Sequence, residues 1–186
     1  MQTEAQPVPR TQSGLRETVE ILLLALLAAL LVRTFLFGNY RVVGSSMQPT
    51  LANGQFLVVS KLDYRLHRPQ RGDIVVFQDP NDPGRRLIKR VVGLPGETVE
   101  MQNGVVLINQ QALEEPYLAD AGRYSRASGV IPADQYFVLG DNRNNSSDSR
   151  SWGMLPREDI VGKAWLSYWP PNEVGLIPHS SYGGGS

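Results

Sequence analysis

The residues with most to offer chemically lie in Gly44-Ser45-Ser46-Met47-Gln48-Pro49-Thr50-Leu51, where two adjacent serines share a turn. Pro49 biases Gln48 towards extended backbone, so a helix does not continue through this stretch. A hydroxyl held there is either an attacking nucleophile or an ordinary surface group, and the stretch alone serves both. A nucleophilic serine needs a base to take its proton. The chain has no cysteine and only two histidines, His67 and His179. That excludes disulfides, thiolate metal sites and cysteine nucleophiles. His67 lies in the basic Arg65-Leu66-His67-Arg68-Pro69 stretch and His179 beside a Ser/Gly-rich tail, and both read as exposed loop residues. A base would then have to be a lysine whose pKa falls from about 10.4 towards neutrality. A fall of about three units corresponds to roughly 4 kcal/mol and requires burial among apolar groups.

The lysines differ in setting. Lys61 sits beside Asp63 and Tyr64, and Lys163 follows a polar stretch at 157–159. In Leu87-Ile88-Lys89-Arg90-Val91, by contrast, strand alternation puts Leu87 and Val91 on the same face as Lys89. An ammonium between two aliphatic neighbours is driven towards the neutral amine. The competing reading is a solvated lysine beside Arg85, Arg86 and Arg90. A third feature is the polar run from Gly140 to Arg150, followed by Ser151-Trp152-Gly153. It reads either as a loop of side-chain-to-backbone hydrogen bonds or as a source of hydroxyls that orient a buried lysine.

These groups need elements to position them. The chain is 186 residues long, enough for one anchor and one compact domain. Lys+Arg and Asp+Glu are both 18, so nothing in the charge suggests a nucleic-acid partner. Residues 1–17 are expected to be a disordered polar tail. Residues 18–38 hold the run Ile21-Leu22-Leu23-Leu24-Ala25-Leu26-Leu27-Ala28-Ala29-Leu30-Leu31-Val32. From Val19 to Phe37 a helix would reach about 28 Å, close to a bilayer core of about 30 Å. A cleaved signal peptide is the competing reading, but Arg33 to Val43 offers no small-x-small site. A single transmembrane anchor is therefore expected. Arg10 and Arg16 before it and Arg33 and Arg41 after it leave its orientation undecided by charge.

Past the anchor the pattern changes to short runs rich in β-branched residues. Strands are expected at 40–43, 55–59, 73–77, 87–92, 98–101, 105–109 and 135–139, separated by turns such as Asn53-Gly54 and Asn103-Gly104. Residues 113–132 read as a connecting loop. The expected fold is mainly β: one N-terminal transmembrane helix, then an antiparallel, partly open β-barrel or sandwich over 39–178 and a flexible tail over 179–186.

In that order the chain carries Ser-Met-Gln-Pro-Thr-Leu at 46–51 and Arg-Gly-Asp-Ile-Val-Val-Phe at 71–77. Lys-Arg-Val-Val-Gly-Leu-Pro-Gly-Glu follows at 89–97, and Gly-Asp-Asn-Arg-Asn-Asn-Ser-Ser-Asp-Ser-Arg-Ser-Trp-Gly at 140–153. This series behind an apolar span resembles the type I signal peptidases, membrane-anchored serine proteases that remove signal peptides from exported preproteins. The resemblance implies Ser46 as nucleophile and Lys89 as general base, with no cofactor and no metal. It implies that Ser146 hydrogen-bonds and orients Lys89, and that Asp141 and Arg90 form a bracing ion pair. Met47, Leu51 and Ile88 would line pockets for small side chains before the cut, typically Ala-x-Ala. Strict alternation sets Ile88 opposite Lys89, so both would reach one site only through a twist or bulge. The implied partners are signal peptides and the lipid bilayer. The implied location is the cell membrane, or a thylakoid membrane where the cell has one, with the catalytic domain on the extracytoplasmic side. No oligomeric state follows.

Two departures from the family pattern stand out. Gly44 occupies a position where some members carry a serine that completes the oxyanion hole, and Asn144 one where aspartate is common. A self-cleaving repressor-type Ser/Lys protease would share the chemistry, but it calls for a DNA-binding N-terminal domain where residues 1–37 offer a membrane helix instead. A catalytically dead, tethered β module that only binds peptides is the reading from another class.

Overall fold

The computed structural model describes residues 12–180 and 182. Most of the tail expected over 1–17, and residues 181 and 183–186, lie outside the described residues. The chain divides into two units, residues 1–36 and 37–186.

The first unit is α1 (Gln12–Leu36). It begins earlier than the apolar pattern suggested, because Arg16 and Glu20 form an i,i+4 ion pair at 2.9 Å that extends the helix into the polar flank. Most of its described leucines are exposed, among them Leu22, Leu23, Leu24 and Leu26. The side chains of residues 31–35 lie outside the described residues. Among the described residues no helix is long and apolar enough to cross a membrane. Phe37 and Gly38, counted with the anchor in the sequence reading, belong instead to a strand that pairs with 59–60.

The second unit is antiparallel β. In order it holds β1 (Phe37–Arg41), β2 (Phe56–Ser60), the one-turn helix α2 (Asp63–Leu66), β3 (Ile74–Asp79), β4 (Asp82–Gly93), β5 (Thr98–Gln102), β6 (Val105–Ile108), β7 (Gln111–Ala112), β8 (Arg126–Val130), β9 (Gln135–Leu139), α3 (Ser149–Trp152), β10 (Leu155–Pro156), β11 (Ile160–Trp169) and β12 (Gly175–Leu176). Among the described residues the larger sheet runs β1-β2-β11-β3-β4-β9-β10, with β12 on β11, and a four-stranded sheet runs β7-β6-β5-β8. The order is an open path, and neither sheet closes into a barrel.

Two findings differ from the expectation drawn from the sequence. The segment 113–132 is not only a connecting loop, since β8 pairs there with β5 (Val99 opposite Gly129). Its polar Arg-Ala-Ser-Gly-Val composition hides it, because an edge strand with exposed side chains carries no alternation. β11 was also not anticipated, although it lies between β2 and β3 in the larger sheet. Register shifts against both neighbours break its period-two signal.

Burial follows the alternation. Val75 and Phe77 of β3 pack with Val91, Tyr136, Val138 and Leu155 on one side. Ile74 packs with Val42, Met47, Leu51 and Leu57 on the other. A third cluster of Val92, Val99, Met101, Val106, Ile131 and Phe137 joins the smaller sheet to the ends of β4 and β9. Phe77 is fully buried and meets the Trp152 ring at 5.8 Å. Phe77→Ala is expected to lower unfolding stability by about 3–5 kcal/mol. Val105→Ala on the exposed side of β6 is expected to stay within about 0.5 kcal/mol. Urea-unfolding midpoints of the two variants check this.

Candidate active site

Lys89 owes its setting to where strand pairing ends. β3 runs alongside it in unbroken register, Val76 opposite Ile88 and Val75 opposite Lys89. On its other edge β4 meets β9 only from Arg90 onwards, with Arg90 opposite Leu139. Among the described residues, no strand occupies that edge from Asp82 to Lys89. The Lys89 side chain bends back along this open edge. Its Nζ donates to the Ile88 carbonyl at 2.8 Å and lies 2.9 Å from Ser46 Oγ.

Pairing with β3 shows no bulge at this point, and the reach of the lysine side chain brings its amine to the cavity. Leu87, Ile88 and Lys89 all line one cavity of about 430 Å³, which follows the strand edge rather than one sheet face. Val42, Leu57 and Val76 add apolar wall, and Ser45 and Ser46 line it as well.

The turn that carries Ser46 is pinned from two sides. Gln48 N–H bonds the Ser45 carbonyl at 3.1 Å and Leu51 N–H the Met47 carbonyl at 2.8 Å, which curls the chain back on itself. Met47 and Leu51 then drop into the core at 1% and 2% exposure. They do not line the cavity. Of the three residues expected as pocket walls, only Ile88 reaches it; the other two anchor the turn. From the opposite side Asn142 N–H bonds the Ser46 carbonyl at 2.9 Å, and Asn142 Nδ2 the Ser45 carbonyl at 3.2 Å.

The 140–150 loop is fastened to β4 by Arg90. Arg90 Nε and Nη2 donate to the two Asp141 oxygens at 2.9 and 2.7 Å, with both side chains 1% exposed. Thr50 Oγ1 donates to the same carboxylate at 2.5 Å, so this pair also ties in the serine turn. The Tyr117 ring lies 3.9 Å from the Arg90 guanidinium carbon, and its hydroxyl donates to Glu115 at 2.6 Å. Glu115 pairs in turn with Arg143. Burial and the neighbouring carboxylate push the Tyr117 phenol well above its ordinary pKa.

The sequence matches the family described as "Signal peptidase, peptidase S26" over residues 15–169, well beyond half the chain. A probable signal peptidase I-1 of Synechocystis is 42% identical over 92% of this chain and 91% of its own. A signal peptidase I of Leptolyngbya laminosa is 43% identical over 96% and 93%. A crystal structure of a signal peptidase I from Enterococcus faecalis shares 36% identity, with a TM-score of 0.48, over 52% of this chain and 97% of that one. The chain belongs to the signal peptidase S26 family. It is a serine endopeptidase.

Against the family pattern, Ser146 stands apart. Its Oγ is buried with no hydrogen-bond partner among the described residues, and Lys89 finds its partners in Ser46 and Ile88. The loop nonetheless presses Ser146 against the serine turn. A Cβ on Gly140 would collide with both Ser146 Oγ and the Ser46 carbonyl, so only glycine permits this approach. Asn144 makes no ion pair and donates to Asp120 at 2.9 Å. The loop's charges are instead settled by Arg143 with Glu115 and by Arg150 with Asp148. His179, expected to be exposed, is half-buried, with its ring between Ile74 N–H (3.2 Å) and the Ala164 carbonyl (2.9 Å). Burial, then the nearby Lys163, holds it below its ordinary pKa, a pinning role far from ligation. Among the described residues no cluster of His, Asp or Glu could hold a metal ion.

Burial lowers the Lys89 pKa to about 8 from 10.5, and the nearby Arg85 adds to it. Asp148 and Asp141 pull the other way, but Arg150 and Arg90 already neutralise them. Between about 8 and 10.5 the unfolded chain binds more protons than the folded one, so stability rises with pH across that window. Below it the buried amine costs about 3 kcal/mol. Lys89→Met is accordingly expected to gain up to about 3 kcal/mol at about pH 7 and nothing above about pH 10.5. Denaturant midpoints at the two pH values measure the difference.

Proposed function

We propose that this peptidase removes signal peptides from exported preproteins, cutting after small-x-small sequences, typically Ala-x-Ala, through a Ser46/Lys89 dyad. The observation that carries the reading is the 2.9 Å approach of Lys89 Nζ to Ser46 Oγ, made by a lysine that is 3% exposed. With a pKa near 8, the amine is neutral in an appreciable fraction of molecules near neutral pH. Its lone pair takes the Ser46 proton as Oγ attacks the scissile carbonyl. The protonated Lys89 then delivers that proton to the departing amine, which leaves an acyl-enzyme on Ser46. In the second half-reaction the neutral amine draws a proton from water, whose oxygen attacks the ester and releases the new C-terminus.

The Ser46 N–H supplies one oxyanion donor. Its direction is supported by the hydrogen bonds of the preceding carbonyl. In a trans peptide the two groups point in opposite directions, and the Ser45 oxygen is held by Gln48 and Asn142.

Substrate recognition fits the open edge of β4. An extended peptide laid along Asp82–Lys89 would complete unpaired backbone hydrogen bonds, as strand addition does elsewhere. Apolar walls from Val42, Leu57, Val76 and Ile88 leave room for small side chains and exclude large ones. In the same reading the leucine-rich part of α1 tethers the enzyme to the cell membrane, or a thylakoid membrane, as a single pass. The catalytic unit then lies on the extracytoplasmic side. The exposed leucines around this helix support a lipid environment.

The test is cleavage of a preprotein bearing an Ala-x-Ala site by the full chain in detergent. Ser46→Ala and Lys89→Met are each expected to leave it uncut, while the unaltered enzyme shows kcat/KM rising through an apparent pKa near 8. Full cleavage by either variant would sink the dyad.

A further inference from the structure

The family position that supplies a second oxyanion donor is Gly44 here, and its φ of +94° disfavours any side chain there. The Gly44 N–H is also committed, to Asn53 Oδ1 at 2.9 Å. A tetrahedral intermediate held only by the Ser46 N–H would forgo one of the two donors on which acyl-transfer sites usually rely. The missing hydrogen bond therefore has to be sought among the other polar groups that line the cavity.

We propose that the Ser45 hydroxyl is the second oxyanion-hole donor of this enzyme, and that Asn145 is the residue that positions it. Both line the same cavity as Ser46 and Lys89. Asn145 Nδ2 donates to Ser45 Oγ at 2.8 Å. This bond fills a lone pair of the hydroxyl and leaves its proton without an acceptor among the described residues. A hydroxyl that accepts one hydrogen bond becomes a better donor in the next. The backbone is arranged to match, since the Ser45 and Ser46 carbonyls are both turned to the 140–150 loop and bonded there by Asn142. The Ser46 N–H and the Ser45 hydroxyl are then two donors of this turn that no acceptor among the described residues takes up, beside the nucleophile itself. Ser46, one residue further on, is already engaged with Lys89, so the two serines divide the work: one attacks and one stabilises.

The inference rests on Ser46 being the nucleophile, and the experiment separates the two. Ser45→Ala in the full chain is expected to lower kcat by about a hundredfold to a thousandfold with KM unchanged, the loss associated with one such donor. Ser45→Thr, which keeps the hydroxyl, should retain most of the activity. A peptidyl boronic acid, whose adduct on Ser46 places an oxygen in the hole, should bind Ser45→Ala weaker by a similar factor. A cleaved product peptide should bind it as before. Asn145→Ala should show a smaller kcat loss that disappears when Ser45 is already alanine. If Ser45→Ala keeps kcat and boronate affinity within about twofold while Ser46→Ala is inactive, the donor assignment falls and the dyad stands. If KM rises with kcat unchanged, Ser45 binds ground-state substrate and the assignment also falls. Activity in Ser46→Ala would overturn the underlying reading instead.

Discussion

The Arg90–Asp141 pair is the constraint on which the site depends. It joins residues 51 apart in the chain, at 1% exposure on both sides. Arg90 follows Lys89 on β4, and Asp141 opens the loop that grips the serine turn. Thr50 bonds the same carboxylate from the far end of that turn. Three segments distant in sequence are thereby held in one register. A buried ion pair is a poor source of net stability, because desolvating both ions offsets much of their attraction. Its effect lies in specificity: either charge left alone inside would cost several kcal/mol, so alternative placements of the loop are strongly disfavoured. Tyr117 lies over the guanidinium, and the adjoining Glu115–Arg143 pair packs beside it.

The same economy of charge governs Lys89. A neutral lysine requires that desolvation outweigh the attraction of nearby carboxylates. Asp148 and Asp141 would keep it protonated were they free. Asp148, fully buried, spends its oxygens on Arg150, on the Gly140 N–H and on capping α3. Asp141 spends its own on Arg90 and Thr50. The arginines thus do more than brace loops: they remove the charges that would otherwise hold a proton on the amine.

Much of this could be read from residue types, and the limits are physical. β5 announces itself by alternation over one buried face, and β3 by a short apolar run buried on both faces, each bounded by turns. β11 does not, since Gly162 and Lys163 interrupt its run and bulges shift its register, so its place in the sheet comes from pairing rather than pattern. The apolar flanks of Lys89 were legible as a strand face, and its pairing with Ser46 followed only from the resemblance. That Lys89 and Ile88 share a cavity was not legible, because it depends on β9 ending opposite Arg90, a property of another segment 49 residues away. The role of Ser146 followed only from the resemblance, and its hydroxyl has no partner among the described residues, a detail of side-chain reach that residue types do not carry.

Met47 and Leu51 show why adjacency to a nucleophile says little about recognition. Apolar residues beside a reactive serine can face the substrate or the core, and turn geometry decides which. Here the Leu51-to-Met47 hydrogen bond winds the chain so that both side chains enter the cluster around Val42, Leu57 and Ile74. Burying both contributes on the order of 3–6 kcal/mol towards holding the turn in one place. A nucleophile displaced by about 1 Å loses most of the advantage of proximity, so rigidity at this turn has direct catalytic value. In the proposed mechanism, recognition is left to the open edge of β4 and to walls drawn from other strands. If Ser46 and Lys89 act as proposed, fixing the nucleophile and choosing the substrate fall to different residues, and pocket shape can vary without disturbing the pair.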